Sequence, residues 1–557
     1  VYEKLQSLTT AEQAEYITEY LVEWNSVNAS DGEVSIVREL HRILQTFPYF
    51  QQYPDRAWIE PIPGDPHGRQ NVFAFIKGPS SSAQTVLYHS HIDTVGIEDY
   101  GNIKHLACSP KELLSYFQSY ANDLEAQADA KSGDWMFGRG SVDMKSGIAV
   151  HLVNLLYFSE HTEELNGNIL LLLNPDEESE HCGLIGALPV LRDLKRSHDL
   201  QYLLAINNDF IAPLYEGDTT KYIYTGTAGK LLPAFFVFGR EVHVGDTLAG
   251  VDPNFVAAKL TERIHNNYDL TEHIPGELIL PPTCLYQRDT KESYTVQTAS
   301  GSRLYFNYFL YETTAEQVTG QMLQAARQAA EEAEQYFAAQ YDRYIEVTGM
   351  PPKNISWEID VKTYEHYRLE LEQKGLDTQT AIQKRLSETT GMDLRLRSFE
   401  LVHALRELDP DKTPQIIFFY APPFLPHNYL TENNRRHRKM KASLSAILQE
   451  ASAVTKETFE MRNFFPYLSD GSFLSIQESD AELQPLLKNL PEGETLYPVP
   501  VDAIKQLNIS SINMGVYGKD GHKWTERVYK PYSFHVLPRL IRNTTTRVLH
   551  EYAAVKE

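Results

Sequence analysis

Over its first two hundred residues the chain alternates compact apolar runs with stretches of helical spacing. Residues 85–88, 168–173 and 202–206 are apolar and of strand length, with helical segments between them such as 145–158. That alternation predicts an α/β sheet. After Gly217 the texture changes. Residues 222–238 are strand-rich, 254–266 helical, and further strands are expected near 293–298 and 304–310. A long helix follows over 314–347, opened by a capping box of Thr313 with Glu316 and stopped by Gly349 and Pro351-Pro352. At about 1.5 Å per residue it would measure roughly 50 Å. Residues 354–362 read as one more strand.

The order β-α-β-β-α-β is that of a ferredoxin-like sandwich. The pattern therefore predicts a doubly wound α/β catalytic domain with mixed sheet, built from 1–216 and 366–557. A smaller ferredoxin-like α+β lid domain at 217–365 would interrupt it. The apolar strands at 415–420 and 511–517 would return the chain to the first sheet. A basic cluster at Arg435, Arg436, Arg438, Lys439 and Lys441 reads as an exposed helix start.

Composition removes whole classes of partner. The 557 residues carry 75 acidic and 51 basic side chains, a net charge of −24, which argues against a protein that coats nucleic acid. No apolar run approaches the roughly 20 residues of a membrane helix, and no signal peptide is visible at the start. The three cysteines, Cys108, Cys182 and Cys284, are odd in number and far apart, which suits a reduced cytoplasm.

The chemistry lies where strands end. Residues 85–88 lead into His89-Ser-His91-Ile-Asp93, 168–173 into Asn174-Pro-Asp176-Glu177-Glu178, 202–206 into Asn207-Asn208-Asp209, and 511–517 into Gly518-Lys-Asp-Gly-His522. Ligands of open α/β sheets bind at the carboxyl ends of strands, so these segments can converge. Taken singly, each has an ordinary structural reading: a hydrogen-bonded pair, a solvated turn, a helix cap. Together, imidazoles and carboxylates without thiolates suit zinc, manganese or cobalt in a hydrolytic site. The glycine-bracketed loop from Gly138 to Gly147, with Asp143 at its centre, lacks dinucleotide-binding spacing. Gly226-Thr-Ala-Gly229-Lys230 fails as a phosphate loop for lack of a hydroxyl residue after the lysine.

In this order, His91-Ile-Asp93, Gly138-Arg-Gly140 with Asp143-Met-Lys145, Asp176-Glu-Glu178, Asp209 and His522 resemble the dizinc aminoacylase, dipeptidase and exopeptidase family. That family includes the ArgE- and DapE-type deacylases of peptidase clan MH. The resemblance spans nearly the whole chain, and the terminal Gly-Lys-Asp-Gly-His-Lys-Trp-Thr-Glu526-Arg with the long lid is most like the arginine-utilisation branch. It implies two divalent ions, zinc first, with manganese or cobalt as alternatives. His91 and Asp209 would bind one ion, Glu178 and His522 the other, and Asp143 would bridge. Asp93 would orient His91, and Glu177 would act as general base on a water between ions about 3.5–4 Å apart.

The resemblance further implies that His243 of the lid stabilises the tetrahedral oxyanion, commonly across a homodimer, and that Asn254 and Asp470 line the substrate pocket. Two departures stand out. Asp209 lies in Asn-Asn-Asp-Phe rather than a Glu-Pro context, and Arg303 is displaced from the lid arginine that grips a substrate carboxylate in many members. The expected function is metal-dependent hydrolysis of a peptide or N-acyl amide in a small amino-acid-derived substrate. Two readings compete: an inactive member serving as a binding or regulatory protein, and a hydrolase of a non-peptide amide, ester or carbamoyl bond. The intact ligand set argues against the first; substrate profiling separates the second.

Overall fold

Strands Asn168–Asn174, Gln84–His91 and Gln201–Asn207 lie side by side and parallel within an eight-stranded sheet. Every residue of the first two is buried, and only Gln201 of the third is exposed. Strands covered on both faces need no polar alternation, which is why they read as unbroken apolar runs. The computed structural model, which describes residues 2–80, 82–465 and 470–553, completes the sheet on both sides. Ala57–Pro61 and Gln70–Lys77 extend one edge antiparallel; Ser511–Asn513, Lys221–Tyr224 and Phe459–Arg462 extend the other. In register, His91 faces Asn174 and His89 faces Asn207, so two of the three central strands finish level and the third stops two residues short of His91. Helix Lys145–Glu160 packs against helices Thr10–Val22 and Leu537–Ala553, and all of it but Tyr157 and Glu160 is buried. This is the mixed α/β fold the sequence predicts.

The chain forms two compact units. The first holds the eight-stranded sheet and takes in residues up to Ala228, Asn428–Ile476, and the chain from Pro500 onward. The second is Gly229–His427 with Gln477–Val499. The boundaries expected at 216/217 and 365/366 are therefore corrected. Residues 217–228 stay with the first unit because Lys221–Tyr224 pairs in parallel with Phe459–Arg462 there. At the other end, strand Gln415–Leu425 does not return to the first sheet. It pairs antiparallel with Gly229–Phe238, placing Phe418 opposite Phe235 and Ile417 opposite Phe236.

In the second unit the sheet order is Thr283–Asp289, Gly301–Leu310, Gly229–Phe238, Gln415–Leu425, Asp360–Thr363. The first four strands, with helices Pro253–Ile264 and Ala315–Thr348, make the expected ferredoxin-like sandwich, but its fourth strand is Gln415–Leu425 and not 354–362. Asp360–Thr363 is instead a short parallel edge strand. The strand expected at 293–298 is a polar loop in which Lys291 donates to Thr295 Oγ1 (2.9 Å) and the Gln297 carbonyl (2.7 Å). The hairpin partner is Thr283–Asp289, whose Tyr286 ring stacks on Tyr305 at 5.5 Å across the strands. The long helix starts one residue later than expected, with Thr314 and Gln317 forming the capping box, and ends at left-handed Gly349.

Both faces of this sheet are covered. Tyr367, Leu371, Ile382, Phe399, Val402 and Leu405, from helices Tyr364–Gln373, Thr378–Glu388 and Leu394–Leu408, pack on Phe236, Phe238, Ile417 and Phe419. Alternation turns Phe235 and Phe418 to the opposite face, where their rings meet at 5.4 Å. Each such buried aromatic contributes about 1.5–3 kcal/mol relative to exposure. That gain explains why the apolar run at 415–420 joins this sheet.

Candidate metal centre

Loops leaving the neighbouring strand ends bring three segments with acidic residues to one place, and two further loops close on them. His91 ends the central strand, Asp176-Glu177-Glu178 follows Asn168–Asn174, and Asp209 follows Gln201–Asn207. Asp143 arrives on the glycine-bracketed loop. Gly140 there has φ 78°, and a Cβ on it would lie 2.9 Å from Thr94 and 3.0 Å from Lys145, so the turn admits little but glycine.

Asp143 divides its oxygens between two histidines. Its Oδ1 lies 3.0 Å from His91 Nε2, and its Oδ2 lies 2.9 Å from His522 Nε2. His522 Nε2 is also 3.1 Å from Glu178 Oε1. The ligand atoms of His91, Asp143 and Asp209 fall within 4.8 Å of one another, as do those of Asp143, Glu178 and His522, and those of His91, Glu177 and Glu178. His91, Asp143 and Asp209 are buried, whereas the His522 side chain is half-exposed.

The His522 loop holds that position against its backbone preference. Asp520 (φ 58°) and His522 (φ 66°) are both left-handed, a conformation costing about 1–2 kcal/mol for a residue with a Cβ. Hydrogen bonds to the Asp520 carboxylate from Thr525 Oγ1 (2.9 Å) and Arg527 Nη1 (2.6 Å) offset it.

Electrostatics marks the cluster as short of positive charge. Burial, and then the charge of Asp143, push Asp209 far above the usual carboxylate range and raise Glu178 as well. Asp143, despite its burial, is held well below that range by hydrogen bonds from His522 and His91. His91, against its own burial, is driven well above the ordinary imidazole value by Asp143 and Asp93. Hydrogen bonds to Asp143 and Glu178 lift His522 to about 11. Protons on the two imidazoles thus stand where divalent cations would fit. Two nitrogens, several carboxylate oxygens and no thiolate form a donor set suited to zinc, manganese or cobalt.

Asp93 lies just behind His91. Its Oδ1 is 3.5 Å from His91 Nδ1 and accepts the Glu177 N–H (3.1 Å). Its Oδ2 accepts the Glu178 N–H (3.1 Å) and Asn28 Nδ2 (2.9 Å). Sequence reasoning did not single out the residues that brace Asp176. Arg69 Nη1 donates to Asp176 Oδ1 at 2.5 Å, Asn28 Nδ2 to the same oxygen at 3.0 Å, and Glu33 Oε1 accepts the Asp176 N–H at 2.9 Å. Glu33 looks in the sequence like any first-turn acid, yet it is fully buried. Burial, and then Asp93, push it up to about 8. No local pattern signals it.

The remaining expected site residues are not among these three groups. His243 and Asn254 belong to the second unit. His243 is exposed, and its Nδ1 accepts the Gly245 N–H at 3.0 Å. Asn254 begins helix Pro253–Ile264 and donates to Asp289 at 3.1 Å. The Asp470 side chain lies outside the described residues. Arg303 is committed internally, 2.8 Å from Glu400 and 5.0 Å from the Phe236 ring centroid. The basic helix start is likewise used in structure: Arg436 donates to the Tyr202 carbonyl at 3.1 Å and Lys441 pairs with Glu432 at 2.7 Å. Among the described residues, no helix is long and apolar enough to cross a membrane.

Comparisons with known proteins give the family and the fold. The profile of "Peptidase family M20/M25/M40" matches residues 87–474. Protein RocB of Bacillus subtilis (strain 168) is 50% identical over 551 residues, which cover 99% of this chain and 97% of that protein. Among solved structures, aminopeptidase PepT from Bacillus cereus ATCC 10987 aligns with a TM-score of 0.51 at 12% identity, covering 97% of this chain and 98% of its own. The M20 family metallo-carboxypeptidase Sso-CP2 from Sulfolobus solfataricus gives 0.51 at 12% identity, covering 98% and 100%. At these identities the structural matches speak for the fold alone.

Proposed function

The chain belongs to peptidase family M20/M25/M40 and is by that membership a metal-dependent hydrolase of amide bonds; from this premise we propose a two-ion site acting on a small amino-acid-derived substrate. His91, Asp143 and Asp209 would hold one ion, and Asp143, Glu178 and His522 the other. The observation that carries this reading is the division of Asp143 between two histidines, 3.0 Å and 2.9 Å from its separate oxygens. Zinc fits the donors, with manganese or cobalt as alternatives.

Bound divalent ions supply Lewis acidity, which acidifies a water and polarises the scissile carbonyl. The chain's own residues do the rest. Glu177 takes the proton of the attacking water as its oxygen bonds to the carbonyl carbon. It then delivers that proton to the leaving nitrogen as the C–N bond breaks, giving an amine and a carboxylic acid, whose remaining proton passes to the amine to leave a carboxylate and an ammonium. Asp93 would orient the ring of His91 through its backbone carbonyl, 3.1 Å from Nδ1, with its carboxylate at 3.5 Å, and hold Glu177 and Glu178 through their amide N–H groups.

In the second unit, His243 is proposed to stabilise the oxyanion from a partner chain in a homodimer, with Asn254 and Asp470 contacting substrate. The exposure of His243 is compatible with that role. Mixing His243→Ala chains with Glu177→Gln chains should restore part of the activity; verified heterodimers without recovery would overturn action in trans. The internal ion pair of Arg303 with Glu400 supports a substrate not gripped there by its carboxylate. The three free cysteines and the net charge of −24 support a cytoplasmic enzyme of small molecules, with neither nucleic acid nor membrane as partner.

The test is turnover of N-acyl amino acids and dipeptides, with arginine, ornithine and citrulline derivatives included. Zinc, manganese or cobalt is supplied in turn. Hydrolysis should disappear with a chelator and return with the ion. A folded chain that takes up less than about one ion and cleaves nothing in the panel would overturn the reading.

A further inference from the structure

Glu526 is fully buried and lies four residues beyond His522. Its Oε1 accepts the backbone N–H groups of Val142 (3.1 Å) and Asp143 (3.2 Å). Its Oε2 accepts from Arg139 Nη1 at 2.7 Å. Arg139, almost wholly buried, completes its own bonding with Asp99 (2.8 and 2.9 Å) and the Gly96 carbonyl (3.1 Å). The Glu526 main chain joins in, since its carbonyl accepts the Gly138 N–H at 3.2 Å.

The loop from Gly138 to Asp143 is neither helix nor strand; its Ser141 N–H turns back to the Gly138 carbonyl at 3.0 Å, while those of Gly138, Arg139, Val142 and Asp143 find partners outside it. Glu526 supplies acceptors at both ends of that loop. The turn that carries Glu526 also carries His522, and it is stiff: Glu526 N–H donates to the Lys523 carbonyl at 2.9 Å, and Arg527 binds Asp129 at 2.8 Å. Asp143 and His522 are far apart in the chain, yet one side chain sets both in a single frame.

We infer that Glu526 is a positioning residue whose two amide contacts align the Asp143 carboxylate with His522, so that affinity for the ion shared by Asp143, Glu178 and His522 depends on it. The inference rests on the two-ion reading proposed above. Glu526 touches no ligand atom; it acts through the backbone of Asp143 and the turn of His522. Two of the three ligands proposed for the other ion, His91 and Asp209, sit on or just after the parallel strands, so that ion, which shares only Asp143 with this frame, is less exposed to its loss. Residues that orient metal ligands in this way typically change affinity 10–100-fold when removed.

The experiment is stepwise titration of the metal-free full chain with zinc alone, by calorimetry and metal analysis, for the wild type, Glu526→Ala and Glu526→Gln. Glu526→Ala should weaken one of the two binding steps about 10–100-fold and the other, which has only Asp143 in common with it, by a clearly smaller factor. Glu526→Gln retains an acceptor for the two amides and should recover part of that loss. Equal weakening of both steps would indicate general loosening and overturn the inference, as would two wild-type steps in a folded Glu526→Ala. Should Glu526→Ala fail to fold, Glu526→Gln decides: a selective loss in one step supports the inference, and an unchanged isotherm overturns it. Uptake of no zinc by the wild type would instead overturn the two-ion reading, and this inference with it.

Discussion

Replacing Glu177 with glutamine should leave both ions bound and lower turnover by about two to four orders of magnitude, the range that general acid–base groups contribute. The side chains have the same shape, and what is lost is the capacity to accept and return a proton. Glu177 is tied to the site through its backbone, whose N–H binds Asp93 Oδ1 at 3.1 Å. The substitution leaves that tie intact, so Glu178 and the strand ends keep their places. Measured together, kcat and metal content separate the possibilities. Loss of an ion, or activity close to wild type, would remove Glu177 from the role of base.

Asp143→Ala should do the reverse and empty the site. One carboxylate serves two triads, and its oxygens lie 3.0 Å and 2.9 Å from different imidazoles. Without it, His91 and Asp209 form an incomplete set, and so do Glu178 and His522. Bound metal should fall from about two ions per chain to none, and turnover with it. His522→Ala is the informative comparison, because it removes a ligand from one triad and should cost one ion. An Asp143→Ala chain that retains both ions would end the bridging assignment.

Much of the first unit was legible because strands buried on both faces write themselves as apolar runs, and because each of them ends in a different acid or imidazole. The candidate ligands could be picked out partly for that reason and partly through the family resemblance, and the structure gathers the five side chains into two groups that share Asp143. The boundary of the second unit was not legible. Gln415–Leu425 is as apolar as the strands of the larger sheet, and nothing within it says which sheet it will join; that choice is made by Phe235 and Phe236 on the strand beside it. The hairpin partner was also misplaced, because 283–289 alternates weakly while 293–298 carries a misleading Tyr-Thr-Val. Arg69, Glu33 and Glu526 escaped as site residues for a different reason. Their importance lies in which backbone amides and carboxylates they meet, and those partners come from distant segments.

Asp93 constrains how this enzyme can diverge. The same pair of oxygens secures the amide of the proposed base and the amide of a proposed ligand, and one of them faces His91 at 3.5 Å. The Asp93 carbonyl, 3.1 Å from His91 Nδ1, would survive any substitution there, whereas loss of the carboxylate would release the amides of the proposed base and the proposed ligand together. Selection for a new substrate has to work on segments that this carboxylate does not hold, while the reacting core is inherited as a single block.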